Sequence, residues 1–472
     1  MTEKSGRIDR STLLALVAMA LGVFVIANDF TALSVAIPTI ESDLHTTLTK
    51  SQWVINGYAL VFGVLIVTGG RLADLFGRKR IFMVGATIFA GFSLLAGLMP
   101  SVVPLILCRG LMGIGGALMW PAILGMTYAL LPDDKAGLAG GLIIGVAGIG
   151  NAVGPLLGGF LTEELSWRWV FFLNLPVTAF AVLVTYRLVQ ESTVDTTERH
   201  IDYVGIAVLS SGIVAILLAL DQGPDEGFGD PAILALFTAG AVLLGSFAAV
   251  ERRQGAGALV PSDVLRNRVF TASCAAVLLM SAIFFASLLY LPQFMEKVLD
   301  FSALRSGAGL LPLMVVFAIT SFVAGPLYGR LGARAVVSVG AACLGIGIFL
   351  LSLVDDGSSY ASLVPGMIVL GVGVGLFYSS ITTVAVTSLD PSRSSLAGGI
   401  VYMCQIAGGA VGLGLNTAIV TSASSLSDGI SVAFKVDAGL AVLGFLVVLS
   451  VIGRHEEVTP RSALRHHHRA HA

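Results

Sequence analysis

Apolar stretches of about 20 residues follow one another along almost the whole of this sequence, with short polar segments between them. A helix needs about 20 apolar residues to cross the hydrocarbon layer of a membrane. Charged residues make up only 12% of the chain, against about 25% in a typical soluble domain, so the composition excludes a soluble fold. The sequence predicts an all-α integral membrane protein with fourteen spans, at 12–38, 52–72, 81–99, 102–129, 138–161, 170–190, 203–221, 231–250, 269–292, 305–328, 335–354, 362–387, 396–420 and 433–453.

The distribution of lysine and arginine predicts which way the spans run. If the N-terminus lies in the cytoplasm, the inner segments hold 21 basic residues and the outer segments hold five, namely Lys50, Arg168, Lys297, Arg305 and Lys435. Cytoplasmic segments of membrane proteins are normally the basic ones. Because the number of spans is even, we expect a multi-pass protein of the cell membrane with both termini in the cytoplasm.

Parts of the sequence occur twice at nearly constant spacing. Leu138–Gly154 and Leu396–Gly412 share a LAGG beginning and an AVG end at an offset of 258 residues, and Gly70–Lys79 resembles Gly325–Arg334 at an offset of 255. A third, shorter match has an offset of 261. Internal repeats of this kind are common in transporter folds.

The repeat divides the chain into two pseudo-symmetric six-helix bundles and an inserted two-helix hairpin. We expect spans 1–6 in residues 1–195, spans 7 and 8 with a cytoplasmic linker in 196–265, spans 9–14 in 266–455, and a cytoplasmic tail in 456–472.

Two charged residues inside predicted spans are candidates for proton coupling. Asp29 is the only carboxylate that the predicted boundaries place well inside a span, and Arg109 lies at a similar depth in span 4. An ionised acid is costly there, so Asp29 is expected to face a wet cavity or a partner and to take up and release a proton. The similar depth suggests Arg109 as that partner, paired directly or through water. The alternatives are a structural acid satisfied by hydroxyls and an arginine that only fixes span 4 through backbone carbonyls.

The segment Gly70–Arg80, with sequence GRLADLFGRKR, lies between spans 2 and 3. Asp74 falls at the C-terminal end of its helix, where the helix dipole disfavours it. We therefore expect another helix N-terminus or Arg78 to satisfy Asp74, as a latch that opens when the bundles move. The alternative is a basic anchor without a gating role. The equivalent position in the second bundle is Gly329, which has no charge.

Span 5 carries a stripe of small residues. Its segment GNAVGPLLGG places Gly150, Gly154 and Gly158 on one helix face, beside Gly159, and Pro155 predicts a kink. Ordinary close packing between helices is the alternative interpretation.

Several of these segments resemble motifs of the major facilitator superfamily, in particular of its drug:proton antiporter branch with fourteen spans. The matching segments are Asn28–Pro38, Gly70–Arg80, Leu105–Ala117, Gly150–Gly159 and Trp167–Pro176. Within Leu105–Ala117, Met112 stands where the family usually has glutamine. The resemblance covers essentially the whole chain and implies the major facilitator fold.

The resemblance also implies roles for individual residues. Asp29 would be the proton-responsive acid, and Arg109 would assist it. Gly154 and Pro155, within the stripe of Gly150, Gly158 and Gly159, would shape a bend that prevents leakage. The gate on the inner side would consist of Gly70, Asp74, Gly77 and Arg78.

Polar and aromatic residues within the spans are candidates for lining a substrate cavity, although such residues serve as often to pack helices together. They are Asn28, Asp29, Trp53, Asn56, Tyr58, Asn151, Tyr378 and Gln405.

These observations favour a proton-coupled antiporter that exports amphipathic drugs or toxic compounds by alternating access. The alternative is a dedicated exporter, or a proton-coupled importer, of a single metabolite, lipid or siderophore. We expect a monomer in a lipid bilayer whose partners are a small amphipathic substrate and protons, and no nucleic acid.

An enzyme is not expected, because every histidine lies outside the predicted spans and no nucleotide-binding P-loop is present. The four cysteines lie within apolar stretches and show neither a disulfide framework nor a metal-ligand spacing, so no cofactor or metal is predicted. The histidine-rich end, Arg465–Ala472, is interpreted as a solvated basic segment, with metal binding as the alternative.

Overall fold

The structure, a computed structural model, describes residues 9–191, 202–254 and 258–451. The predicted tail, the domain boundaries at 195/196 and 455/456, and the histidines at 200, 455, 466–468 and 471 lie outside these ranges. So do several of the basic residues assigned to the cytoplasm, namely Lys4, Arg7, Arg199, Arg454, Arg461, Arg465 and Arg469.

Helices account for nearly all of the described residues, and those ranges contain no β-strand. The helices are α1 (Arg10–Ala32), α2 (Ile37–Asp43), α3 (Leu48–Phe76), α4 (Arg78–Leu98), α5 (Val102–Leu130), α6 (Ala136–Glu164), α7 (Trp169–Leu188), α8 (Tyr203–Glu226), α9 (Pro231–Gln254), α10 (Ser262–Arg266), α11 (Arg268–Lys297), α12 (Ala303–Gly309), α13 (Leu311–Leu351), α14 (Tyr360–Thr387), α15 (Ser394–Thr421) and α16 (Leu426–Val451).

Thirteen helices in the described ranges are long and apolar enough to cross a membrane. One of them, α13, has 41 residues, about 60 Å at 1.5 Å per residue and twice the thickness of the hydrocarbon layer. It is interrupted at Gly332, whose φ of 82° lies in the left-handed region that favours glycine. The two arms on either side of Gly332 correspond to predicted spans 10 and 11, so the thirteen helices provide the fourteen predicted crossings.

Two predicted boundaries are wrong. Span 1 was expected to run to residue 38, but α1 ends at Ala32, and a turn precedes the short helix α2. Pro38 explains the break, because its ring would clash with the Ser34 carbonyl in a continuous helix. At the other end of the chain, α16 begins at Leu426, seven residues before the predicted start of span 14.

The sequence repeat appears as two equivalent contacts between the bundles. A Cβ atom on Gly70 of α3 would lie 3.0 Å from the Leu396 Cα at the start of α15, and a Cβ atom on Gly325 of α13 would lie 3.0 Å from the Leu138 Cα at the start of α6. In each case the end of one helix packs closely on the beginning of a helix from the other bundle. We call this end of the molecule the basic end, because arginines of the described ranges that are predicted to be cytoplasmic lie there.

The inserted hairpin of α8 and α9 lies at one side of the two bundles. α8 packs against α3 of the first bundle and α15 of the second, whereas α9 packs mainly on α8. α9 therefore has the smallest buried fraction of all the candidate spans in the described ranges.

Candidate functional site

A buried ion pair joins α1 and α5. An oxygen of Asp29 accepts a hydrogen bond from the Arg109 guanidinium, and both side chains are fully buried. Arg109 also donates from Nε to the Val54 carbonyl at 2.7 Å, so it contacts α3 as well. The similar depth of the two residues had suggested that they pair, and the pair forms directly.

Asn174 of α7 completes the surroundings of Asp29. Its Nδ2 donates to the second Asp29 oxygen at 3.0 Å and to the Ser93 Oγ at 3.1 Å. Asn174 lies within the family-like segment Trp167–Pro176, and its role was not among the predictions from the sequence. A lone amide inside an apolar span was the available signal, because amides in spans are normally satisfied by polar partners.

An aromatic ring covers the guanidinium. The Tyr58 ring centroid lies 4.4 Å from the Arg109 Cζ, within the range of a cation–π contact. Met112, which replaces the usual glutamine, brings its sulfur to 3.9 Å from Nη1, and Arg109 Nη2 has no hydrogen-bond partner among the described residues. The charge of Arg109 is thus balanced chiefly by Asp29, and protonation of Asp29 would leave the cation without its counter-ion.

The glycine stripe of α6 packs directly on the helix that carries Asp29. A Cβ atom on Gly150 would lie 2.9 Å from the Ala27 Cβ, and one on Gly158 would lie 2.7 Å from the Ala32 carbonyl carbon. Such distances are too short for real side chains, so α1 and α6 contact each other through backbone. At Gly159 the nearest atom, in Val35, would be 3.6 Å away, which is an ordinary contact.

The predicted latch forms at the basic end and connects the two bundles. Asp74 accepts hydrogen bonds from Arg78 Nε at 3.1 Å, from the Ser395 N–H at 3.2 Å and from the Leu396 N–H at 2.8 Å. The last two groups belong to the first turn of α15. A carboxylate is stabilised there by free N–H groups and by the positive end of the helix dipole.

Arg78 extends the latch beyond Asp74. Its Nη1 donates to the Gly125 carbonyl at 3.1 Å, and its Nη2 donates to the Pro391 carbonyl at 2.6 Å, just before α15. Gly77, which permits the turn between α3 and α4, has a φ of 102°. Together these contacts hold the two bundles against each other at the basic end.

A second ionic cluster closes the first bundle at the opposite end. Asp43 accepts hydrogen bonds from Arg168 Nη1 at 2.7 Å and from Trp167 Nε1 at 3.0 Å. The hydrogen bond from Arg168, with a smaller effect of that from Trp167, lowers the pKa of Asp43 below its ordinary value.

A cavity of about 350 Å³ lies where both bundles meet the inserted hairpin. It is mainly apolar, and its lining consists of Trp53, Asn56, Ala59, Leu60, Leu217, Leu218, Leu220, Phe285, Ile406, Ala410, Leu413, Gly414 and Thr417. Trp53 is near the beginning of α3 and Thr417 near the end of α15, so the cavity lies toward the end opposite the latch.

The predicted cavity residues divide into two groups. Trp53 and Asn56 line this cavity, whereas the others do not. Tyr58 packs on Arg109, and Tyr378 is buried with its hydroxyl 2.9 Å from the Ser281 Oγ.

The remaining three predicted cavity residues are all amides outside the lining. Asn28 is buried beside the glycine stripe, and Asn151 and Gln405 are half-buried.

The expectation that Asp29 is the only carboxylate well inside a span is wrong. Asp437 lies eleven residues into α16 and is fully buried, with Asn416 of α15 as its hydrogen-bond donor. The sequence did not predict this because Leu426–Gly429 contains serine, aspartate and glycine, which suggested a loop. The predicted span therefore began too late and placed Asp437 near its beginning.

The chain also matches the model of a known family along most of its length. The Major Facilitator Superfamily model matches residues 19–320 and 312–471. The chain belongs to this superfamily of membrane transporters.

Similar proteins include a puromycin resistance protein of Streptomyces alboniger, 33% identical over 92% of this chain and 87% of that protein. A lincomycin resistance protein of Streptomyces lincolnensis is 31% identical over 87% of this chain and 85% of that protein. The structure resembles that of the human organic anion transporter TETRAN, with a TM-score of 0.68, 14% identity and coverage of 93% of this chain and 99% of the other. The last likeness concerns the fold alone.

Proposed function

We propose that this transporter exports drugs or other amphipathic toxic compounds across the cell membrane in exchange for protons, by alternating access. The observation that carries the proposal is the buried Asp29–Arg109 pair in a chain whose bundles are joined by a charged latch at the basic end. The resistance proteins named above, together with the multidrug resistance protein Stp of Mycobacterium tuberculosis, at 31% identity over 86% of this chain, support the export of drugs.

The pair is suited to proton coupling because its two states differ in charge. With Asp29 ionised, its carboxylate neutralises Arg109 and accepts the Asn174 amide. When Asp29 takes up a proton, the attraction to Arg109 is lost and an unpaired cation remains in an apolar interior, which is costly. This cost favours a conformation in which α1 and α5 have moved apart. Protonation of Asp29 is thereby coupled to the conformational change.

The latch supplies the second part of the cycle. The positive-inside distribution favours an orientation in which the basic end and both termini face the cytoplasm. In this orientation the latched state is closed to the cytoplasm, and its cavity lies nearer the outside. Opening to the cytoplasm would require Asp74 to leave the first turn of α15 and Arg78 to leave Pro391.

The energy of the proton gradient is sufficient for such export. One proton crossing about 100 mV supplies about 2.3 kcal/mol, and one pH unit adds about 1.4 kcal/mol. The sum supports a gradient of roughly 500-fold for a neutral substrate at one proton per cycle.

Transport by purified protein in proteoliposomes tests the proposal. Ethidium, puromycin and lincomycin would each be measured with and without an imposed pH gradient, with Asp29→Asn as the uncoupled variant. We expect the gradient to drive accumulation of at least one compound in the wild type and not in the variant. Transport that ignores the pH gradient, or equal coupling in Asp29→Asn, would refute proton-coupled antiport through Asp29.

Export of one dedicated compound is the second candidate. It is favoured by relatives named for single compounds, such as a tetracenomycin C resistance and export protein of Streptomyces glaucescens, 30% identical over 84% of this chain. Drug susceptibility of a strain lacking the gene distinguishes the two: sensitivity to several unrelated compounds favours broad export, and sensitivity to one favours a dedicated exporter.

A further inference from the structure

We propose that Asp437 is a second proton-binding site, located in the second bundle, which takes up and releases a proton together with a change in its pairing to Asn416. The site itself is inferred from geometry, and only its use in transport rests on the proposed antiport function.

Among the described residues, no cation forms an ion pair with Asp437. Both of its oxygens contact the same donor, Asn416 Nδ2, at 3.2 and 3.1 Å, and the ion pairs of the described residues do not include it. The same nitrogen also donates to the Gly412 carbonyl at 2.9 Å. One N–H of the Asn416 amide therefore donates to the backbone carbonyl and the other donates to the carboxylate. In the described part of the chain, the full negative charge of Asp437 is stabilised by a single neutral N–H group.

This differs from the surroundings of Asp29. Asp29 has a guanidinium and an amide as partners, whereas Asp437 is equally buried with an amide alone. A buried charge that is not paired favours its neutral form, because desolvation is not compensated. Of the two acids, Asp437 is the one whose protonation leaves no cation unpaired.

An unused acceptor lies next to the carboxylate. Asn416 Oδ1 is buried and has no hydrogen-bond partner among the described residues. A protonated carboxyl has one O–H donor, and a primary amide can donate from nitrogen while accepting on oxygen. A small rotation of either side chain would let the Asp437 O–H donate a hydrogen bond to Asn416 Oδ1. The protonated state of Asp437 thus provides this oxygen with a donor that the ionised state cannot provide.

Two residues connect the site to open space. Thr417, which follows Asn416 in α15, lines both the 350 Å³ cavity and a cleft of about 470 Å³ at the same end of the bundle. The Tyr290 hydroxyl lies 2.7 Å from the Thr417 Oγ1, and Tyr290 also lines that cleft and is within electrostatic reach of Asp437. Water in these spaces is the proton source in this proposal, and the step is a transfer of a proton from hydronium to an oxygen of Asp437, which leaves water.

The other titratable groups near α16 do not account for this site. α16 packs against α11, α13 and α15. Of these, α15 contains no charged residue, and the arm of α13 after Gly332 has only Arg334, near the basic end, and Cys343.

The groups on α11 and on α16 itself lie elsewhere or are weak acids. α11 contributes Tyr290, with Arg268, Cys274, Glu296 and Lys297 elsewhere along it. On α16, Lys435 and Asp428 are both exposed, and the loop between α13 and α14 contributes Asp355 and Asp356, of which Asp356 bonds Ser427.

Infrared difference spectroscopy of the full chain in lipid tests the proposal without any substrate. The observable is the C=O stretch of protonated carboxyl groups, followed between about pH 5 and about pH 8. We expect a band that disappears as the pH rises, is absent from Asp437→Asn and is unchanged in Asp428→Asn, an exposed acid on the same helix. A band identical in wild type and Asp437→Asn would overturn the proposal, as would an Asp437 band that stays constant over the whole range.

A second variant separates a titrating site from a folding defect. Asn416→Leu removes the amide that, in the part of the chain that the structure describes, donates to the ionised form, so the midpoint of the band should move to higher pH by about one unit, equivalent to a tenfold change in proton affinity. An unmoved midpoint would show that the amide does not govern Asp437 and would contradict the pairing argued here.

Transport data then address the coupling separately. If pH-driven ethidium movement is absent from the wild type while the Asp437 band still titrates, the proposed antiport fails and the proton site stands. If coupling is present in the wild type and the band does not titrate, the antiport stands and this inference fails.

Discussion

Asp74 of the first bundle accepts the backbone N–H of Leu396 of the second bundle at 2.8 Å, although the two residues are 322 positions apart in the chain. The carboxylate sits at the unfavourable C-terminal end of its own helix, and the start of α15 offers the favourable environment that α3 lacks. This contact exists only while the basic ends of the bundles are together. The placement of Asp74 therefore couples its electrostatic energy to the conformation of the transporter.

Replacing Asp74 by Asn should weaken the latch. The variant keeps the shape of the side chain but loses the charge that Arg78 and the first turn of α15 stabilise, and hydrogen bonds to charged groups are worth about 1.5–3 kcal/mol. We expect the equilibrium to shift toward opening at the basic end by about tenfold or more. Double electron–electron resonance between spin labels at positions 80 and 331, in a variant without native cysteines, should then report a longer distance than in the same variant with Asp74 intact.

The exposed Asp134, at the same end of the molecule, provides the control for this experiment. Asp134→Asn changes the net charge by the same amount without touching α15, so its distance distribution should match that of the wild type. Equal distributions for Asp74→Asn and the wild type would show that the latch does not hold the bundles together.

The glycine stripe predicts a difference between adjacent residues. Gly158→Ala places a methyl group against the Ala32 carbonyl oxygen and 2.7 Å from the carbonyl carbon, and this backbone cannot move away as a side chain could, so α1 and α6 must separate. Overpacking of this kind costs about 1–3 kcal/mol of the free energy of unfolding, which exceeds the gain of about 1 kcal/mol that alanine brings to a helix. Thermal unfolding in detergent should show a lower midpoint.

Gly159→Ala is the matched control, since its new methyl group would be 3.6 Å from Val35. This variant should unfold at the wild-type temperature or slightly above it. If both alanine variants behave alike, the close approach of α1 and α6 at Gly158 is not a determinant of stability.

The parts of the site that the sequence could predict are those that depend on one helix at a time. Depth along a helix follows from the rise per residue, which suggested the pairing of Asp29 with Arg109. An acid at the wrong end of its helix requires an external partner, which suggested the latch of Asp74. Both arguments need only the helix boundaries and elementary electrostatics.

The parts that escaped prediction depend on which face of a helix meets which neighbour. Tyr58 and Tyr378 resemble cavity residues by type, but the packing turns both toward the protein interior. Asn174 reaches Asp29 only because α7 packs on α1, a pairing that no local pattern specifies. Asp437 was missed for a simpler reason, since the polar start of α16 resembled a loop.

Asn174 should support transport through Asp29. Its amide donates to Asp29 at 3.0 Å, so Asn174→Leu removes a hydrogen-bond donor from a fully buried carboxylate. Leaving a buried polar group without such a partner costs about 1–3 kcal/mol. We expect pH-driven ethidium transport in proteoliposomes to fall about tenfold.

Asn174→Gln keeps the amide and serves as the control, with transport close to that of the wild type if the longer side chain still reaches Asp29. Wild-type transport by Asn174→Leu would exclude Asn174 from the proton-coupling site. The Arg109–Asp29 pair would then be sufficient for coupling.

The cavity predicts which aromatic residue contacts the substrate. Trp53 lines the 350 Å³ space, where an apolar aromatic wall suits an amphipathic compound, while Tyr378 is buried behind it on α14. Trp53→Ala should raise the KM for ethidium about tenfold, because truncating a large aromatic contact commonly costs more than 1 kcal/mol. Tyr378→Phe, which removes only the hydroxyl bonded to Ser281, should leave KM unchanged. Initial rates of ethidium movement at equal protein density measure both values, and an effect on KM confined to Tyr378→Phe would place the substrate elsewhere in the molecule.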